Sequence, residues 1–292
     1  MEFQRVLKRK ILVLDGAMGS ELIAQGHDGA LEMLNLHKPE VVQALHEAYL
    51  KAGADIITTN TTCADALCLG PYGLQERSYE LARVGAELAR SAVAKFHTSE
   101  HPRFVAGSVG PTSRNLSLAN DTSAEQLAEV YATQIRGLID GGVDMILVET
   151  VMDAENARIA IEQVRKHSES MPILLSATLS RLEGRVASGA TIKKFLEQIP
   201  MSALAAVGFN CSMGAKQMEV AVQTLVAECK LPIILYPALG RQGESPSQFV
   251  KPLDRLSRAG VLNIVGGCCG TTPAHIELLA RSVARWRPRK TE

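Results

Sequence analysis

The sequence has no charge bias: lysine plus arginine and aspartate plus glutamate stand at 31 each in 292 residues. Without a basic excess, neither nucleic acid nor an anionic membrane surface is an expected partner. It also lacks a long apolar run. Ten N-terminal residues rich in charge lead into only four apolar ones, Ile11 to Leu14, before Asp15. That is too few for a secretion signal or a membrane span. Cysteine is sparse, at six residues, and with no export signal these point to the reducing cytoplasm rather than a disulfide framework. Aromatics make up 4%, with one tryptophan, Trp286, leaving little material for a ring-lined cage around a methylated cation. No linker, low-complexity segment or close repeat divides the chain, so one domain over 1–292 is expected.

What is present is alternation. Apolar runs of strand length, rich in Ile, Leu and Val, fall at 11–16, 55–60, 104–110, 145–150, 173–178, 204–210, 233–237 and 262–267. Amphipathic helical patterns separate them, at 39–52, 74–96, 124–140, 153–167, 192–198, 215–229, 247–259 and 273–286. Eight strand–helix units in a chain of this length predict an α/β fold, a (β/α)8 TIM-type barrel. Strands apolar on both faces are what a buried parallel barrel requires. An open doubly wound sheet is the alternative.

Polar and reactive residues collect where the strands stop: Asp15, Thr58-Thr59-Asn60, Ser108, Glu149-Thr150, Asn210-Cys211-Ser212 and Cys268-Cys269. In a barrel these ends meet at one mouth. Adjacent cysteines in extended backbone point to opposite sides. Glycines on either side, in Gly266-Gly267-Cys268-Cys269-Gly270, allow a bend that turns both sulfurs to one point. A tight Cys-Cys disulfide is strained, so a soft metal fits better. Cys211, Cys268 and Cys269 are therefore candidate zinc ligands, and three protein ligands leave a fourth position open, as in catalytic sites. Cys229 falls on a helical pattern and reads as core, and Cys63 and Cys68 match no common zinc spacing. The histidines fall away from the strand ends, except that His275, early in the last helix, is exposed or near the mouth. Asp15 and Glu149 read as anchors for a cationic group, although a paired acid–base hydrolase fits the same chemistry.

Six segments carry a resemblance: Asp15-Gly16-Ala17-Met18-Gly19, Thr59-Asn60-Thr61, Gly107-Ser108-Val109-Gly110-Pro111, Val148-Glu149-Thr150, Phe209-Asn210-Cys211-Ser212 and Gly266-Gly267-Cys268-Cys269-Gly270-Thr271. From about residue 10 to about 285 the chain resembles the homocysteine S-methyltransferase family. Leu34-Asn35-Leu36 with Lys38-Pro39, and Gly141-Gly142-Val143-Asp144, look most like the homocysteine-binding module of cobalamin-dependent methionine synthase. The resemblance implies a (β/α)8 barrel and zinc on Cys211, Cys268 and Cys269, with the homocysteine sulfur as fourth ligand. It places the substrate amino group on Asp15 and Glu149, and the substrate carboxylate near Ser108 and Val109. The implied product is methionine. The implied donor is a methylated corrinoid on a separate protein, with S-methylmethionine the alternative and betaine disfavoured by the shortage of aromatics. Two departures stand out: Pro237-Ala238-Leu239-Gly240 where many relatives have an Asn after the Pro, and Asn60-Thr61-Thr62 where Asn-Thr-Phe is usual. A zinc-storage or thiol-redox protein, or a non-catalytic subunit, would use the same cysteines without needing the two carboxylates.

Overall fold

Eight parallel strands form a single sheet in the computed structural model, which describes residues 2–117, 122–181 and 184–291. They are β1 Leu12–Val13, β2 Ile56–Thr58, β3 Phe104–Val109, β4 Met145–Val151, β5 Ile173–Ala177, β6 Ala206–Cys211, β7 Ile233–Pro237 and β8 Ile264–Val265. From β2 to β8 each strand pairs with its sequence neighbour, and β8 pairs with β1. Between β1 and β2 the ring closes through a parallel bridge from Leu14 to Ile56 and a hydrogen bond from Asp55 N to Val13 O. The fold is thus the expected (β/α)8 barrel, not an open sheet. Among the described residues no helix is long and apolar enough to cross a membrane.

Helices surround the barrel: α1 Glu2–Leu7, α2 Gly19–Ala24, α3 Leu34–His37, α4 Pro39–Lys51, α5 Ala66–Leu69, α6 Ser78–Ala94, α7 Ala124–Asp140, α8 Ala154–His167, α9 Ile192–Glu197, α10 Ala215–Glu228, α11 Pro246–Arg258 and α12 Pro273–Val283. Local chemistry starts several of them. Ser123 and Ser245 close capping boxes with Gln126 and Gln248, which satisfies amide groups the first turn would leave bare. Pro246 and Pro273 stand in first turns, where no amide is needed. Sequence patterning missed α1, α2, α3 and α5. The last three are short helices within the loops after β1 and β2, and length and periodicity signal them poorly.

Two apolar layers follow from the two-residue period of the strands. Outward positions such as Val13, Ile57, Val105, Val109, Val148 and Val207 pack against the helices. Inward positions fill the barrel: Leu12, Leu14, Ile56, Phe104, Ala106, Met145, Leu147, Leu174, Ala206, Ile234 and Ile264. Phe3 and Leu7 of α1 join this inner cluster. The Phe3 ring meets Phe104 edge-on, centroids 5.6 Å apart. Carrying the same alternation toward the C-terminal strand ends brings Ser108, Glu149, Ser176, Asn210, Tyr236 and Cys268 to the inside. The barrel lining therefore changes from hydrocarbon to polar atoms over a single step of two residues.

Candidate active site

The three expected cysteines converge. Cys211 Sγ lies 3.6 Å from Cys269 Sγ, which lies 3.9 Å from Cys268 Sγ, and all three sulfurs sit within 4.8 Å of one another. They come from β6 and from the turn after β8. A tetrahedral ion with bonds of ~2.3 Å to sulfur sets sulfur–sulfur edges of ~3.8 Å, so the spacing fits such an ion. Among the described residues no fourth His, Cys, Asp or Glu joins the cluster. Without a cation, three neighbouring thiolates would repel. Hydrogen bonds from Cys268 and Cys269 hold the Cys211 thiol down to about 3, while those same contacts push Cys268 and Cys269 up. A dication among the sulfurs would offset that repulsion and favour their deprotonated forms.

Backbone geometry brings the sulfurs together. Cys211 and Ser212 adopt φ of 56° and 48°, left-handed values uncommon outside glycine. After β8, Gly270 turns at φ 83° and donates its amide to Ser20 Oγ at 2.9 Å. Thr271, fully buried, bonds through its hydroxyl to Cys268 O at 2.7 Å and receives Ala17 N at 3.1 Å. A Cβ on Gly16 or Gly267 would lie within 2.8 Å or 2.4 Å of that hydroxyl, so both glycines make room for the strap joining β1 to the cysteine turn.

Asp15 and Glu149 are both buried at the same mouth. Asp15 accepts from Thr58 N at 2.7 Å and from the Thr58 hydroxyl. Burial still drives its carboxyl well above the ordinary carboxylate range, with the Glu149 charge adding to the rise. Burial likewise raises Glu149, against hydrogen bonds from the Ser108 and Tyr236 hydroxyls. Two buried carboxylates face one space with no cationic partner among the described residues, and a cation such as an ammonium group would satisfy both.

Ser108 is therefore placed, but beside Glu149. Its hydroxyl bonds Glu149 and Thr62 Oγ1, its amide donates to Thr59 Oγ1, and its carbonyl accepts from Thr61 Oγ1. Thr62, where the resemblance leads one to expect Phe, thus adds a hydroxyl to this chain. The Val109 side chain is fully buried in the outer layer, so only its backbone can face the pocket. Ala238 offers no ligand atom. Its neighbour Leu239 donates its amide to Cys269 O at 3.1 Å. Cys63 and Cys68 stay outside the thiol cluster, and Cys229 is buried as expected. His275 is not exposed. It is buried, closes the α12 cap through Nδ1, and reaches Glu244 O at 3.0 Å through Nε2.

Tyr236 and Ser176 were missed. Tyr236 donates to Glu149 Oε2 at 3.1 Å, and Ser176 donates to Asn210 Oδ1 at 2.8 Å. Inside apolar strands both read as core, and the available signal was register: Tyr236 stands two residues from Ile234, on the same inward face.

The homocysteine S-methyltransferase family profile matches residues 12–283. Among solved structures, the oxidized form of the homocysteine methyltransferase MmuM from Escherichia coli superposes with a TM-score of 0.82 at 26% identity, over 94% of this chain and 97% of that one. Its metallated form gives 0.80 at the same 26% identity, over 95% and 98%. A hyperthermophilic chitinase catalytic domain from Pyrococcus furiosus, at 12% identity and TM-score 0.54 over 94% and 96%, shares the barrel alone. With the family profile spanning nearly the whole chain, and the thiol cluster and buried carboxylates at one mouth, the chain belongs to the homocysteine S-methyltransferase family.

Proposed function

We propose that this methyltransferase carries a methyl group to the thiol of L-homocysteine, giving methionine, with zinc held by Cys211, Cys268 and Cys269. The observation that carries the metal reading is the sulfur triangle, spaced for a tetrahedral ion with one position left over. A zinc ion there would favour the thiolate of a substrate whose thiol otherwise ionises near pH 8.5. The chain's own residues supply position. Asp15 and Glu149 take the substrate ammonium, and Ser108 acts by holding Glu149. Val109 contributes backbone beside the substrate carboxylate. No general base is needed for the displacement, because the nucleophile is already deprotonated. A protein that only stores metal or exchanges disulfides has no use for the two buried carboxylates. A cytoplasmic setting, which keeps thiols reduced, would suit a cysteine-held metal.

For the donor we favour a methylated corrinoid on a separate protein. The methionine synthase-like segments support it, as do Ile23 and Tyr72, 60% and 54% exposed on the loops after β1 and β2, at the rim where a partner would seat. A small onium donor, S-methylmethionine, is the second reading, kept open by the match to the homocysteine methyltransferase MmuM over 97% of that chain. The test is a donor panel with homocysteine: methylcobalamin, a methylated corrinoid protein, S-methylmethionine and betaine, scored by methionine formed. Zinc content is measured on the same preparation. Methionine from the corrinoid protein alone fixes the first reading. No methionine from any donor by a zinc-loaded protein would sink the function proposed here.

A further inference from the structure

Asn210 stands between the two halves of the pocket, fully buried, with all four of its amide capacities engaged. Its Oδ1 accepts from Thr150 N at 3.0 Å and from Ser176 Oγ at 2.8 Å. Its Nδ2 donates to Thr150 Oγ1 at 2.8 Å and reaches Cys268 Sγ at 3.9 Å. Thr150 directly follows Glu149 and is held at φ 56°, a strained conformation for a β-branched residue. The doubled contact to Thr150 backbone and hydroxyl fixes that conformation. Ser176, the inward residue of the intervening β5, is small enough for Asn210 to reach across to β4. Asn210 also precedes Cys211, which turns at the same φ of 56°.

We propose that Asn210 is a positioning residue that couples the carboxylate end of the pocket to its sulfur end, so that metal on the cysteines strengthens binding of the substrate's amino-acid portion. When Cys268 serves as a thiolate ligand it becomes the better acceptor for Nδ2–H. That fixes the amide orientation, which presents Oδ1 to Thr150 N and holds the Glu149–Thr150 turn. The coupling is reciprocal: an amino acid bound at Glu149 tightens metal binding by the same factor. The inference rests on the homocysteine reading above but concerns binding alone.

The probe is L-norvaline, which carries a methyl group where homocysteine carries its thiol and so cannot ligate the metal. Its Kd is measured by calorimetry on zinc-free and zinc-loaded protein. The unaltered chain should bind norvaline about 5-fold or more tighter when zinc is loaded. Asn210→Asp keeps the acceptor oxygen and loses both donors, and should bring that ratio to about 1 while weakening zinc by about 10-fold or more in chelator competition. Asn210→Ser, measured alongside, keeps the test available if the aspartate variant does not fold. A ratio near 1 in the unaltered chain, or the same ratio in the variants, overturns the coupling. Zinc retained undiminished by Cys268→Ala, or no norvaline binding in either state, instead marks failure of the homocysteine reading, and this inference falls with it.

Discussion

The two ends of the barrel are built from the same strands and differ in almost every chemical respect. At the N-terminal end the inward residues are Phe104, Met145 and Leu174, closed by Phe3 and Leu7. Beyond them lies a cavity of about 1090 Å³, whose walls include Lys8, Arg9, Arg287, Arg289 and Lys290. At the C-terminal end stand thiols, two buried carboxylates and the hydroxyls that serve them. The N-terminal space has cationic walls on a greasy floor, whereas the mouth has groups that call for a cation. Left-handed backbone, thiols and carboxylates gather at the C-terminal end, whereas the buried carboxylate just before β2, Asp55, is paired with Lys10 and Arg103.

That contrast can be broken at either end. The largest effect is expected at the sulfurs: Cys268→Ala should cost activity on the order of 10³-fold or more, with bound zinc lost and circular dichroism unchanged. At the floor, Phe3→Ala should cost about 3–5 kcal/mol of unfolding free energy, read by urea titration, with zinc content and homocysteine KM unaltered. Equal loss of zinc in both variants would erase the distinction between the ends.

The carboxylates give a smaller effect with a pH signature. Glu149→Gln should raise homocysteine KM by roughly 10–100-fold, the worth of a charged hydrogen bond. In the unaltered chain burial raises Glu149 and Asp15 above their unfolded values. The folded state therefore keeps their protons longer, and stability falls as pH rises from about 4 through the raised values. Binding of an ammonium needs the ionised forms, so substrate affinity falls in the opposite direction, as pH drops through the same window. Glu149→Gln should flatten both limbs in part, and a profile identical to the unaltered chain would remove Glu149 from the substrate site. The smallest expected change is at Tyr236→Phe, which leaves Glu149 Oε2 without its donor. KM should rise about 10-fold with kcat little changed, and an equal fall in kcat would instead give Tyr236 a role in the transfer step.

Much of this was legible in the sequence. The eight strands announced themselves as apolar runs because parallel barrel strands are buried on both faces. Cys211, Cys268, Cys269, Asp15 and Glu149 stood out because each is polar at the end of such a run. What stayed hidden depends on which way a side chain faces once the ring closes. Ser108 and Val109 are neighbours in sequence, yet one faces the pocket and the other the helices. Tyr236 looks like core until the register with Ile234 is known. Asn210 gives no sign in one dimension that its amide reaches over β5 to Thr150. Helix α5 owes its start to Asp65, whose carboxylate accepts from Leu67 N and Cys68 N, a contact that apolar periodicity does not reveal.

The left-handed turns at Thr150, Cys211 and Ser212 make this site hard to transplant. Such conformations cost of order 1–3 kcal/mol each, and glycine, the residue that would relieve them, carries neither a sulfur nor a hydroxyl. A short peptide bearing the Asn-Cys-Ser sequence would relax into ordinary extended backbone and lose the sulfur's aim. A designer wishing to graft this chemistry onto another scaffold would have to import the junctions after β4, β6 and β8 together with the rigid ring that holds them.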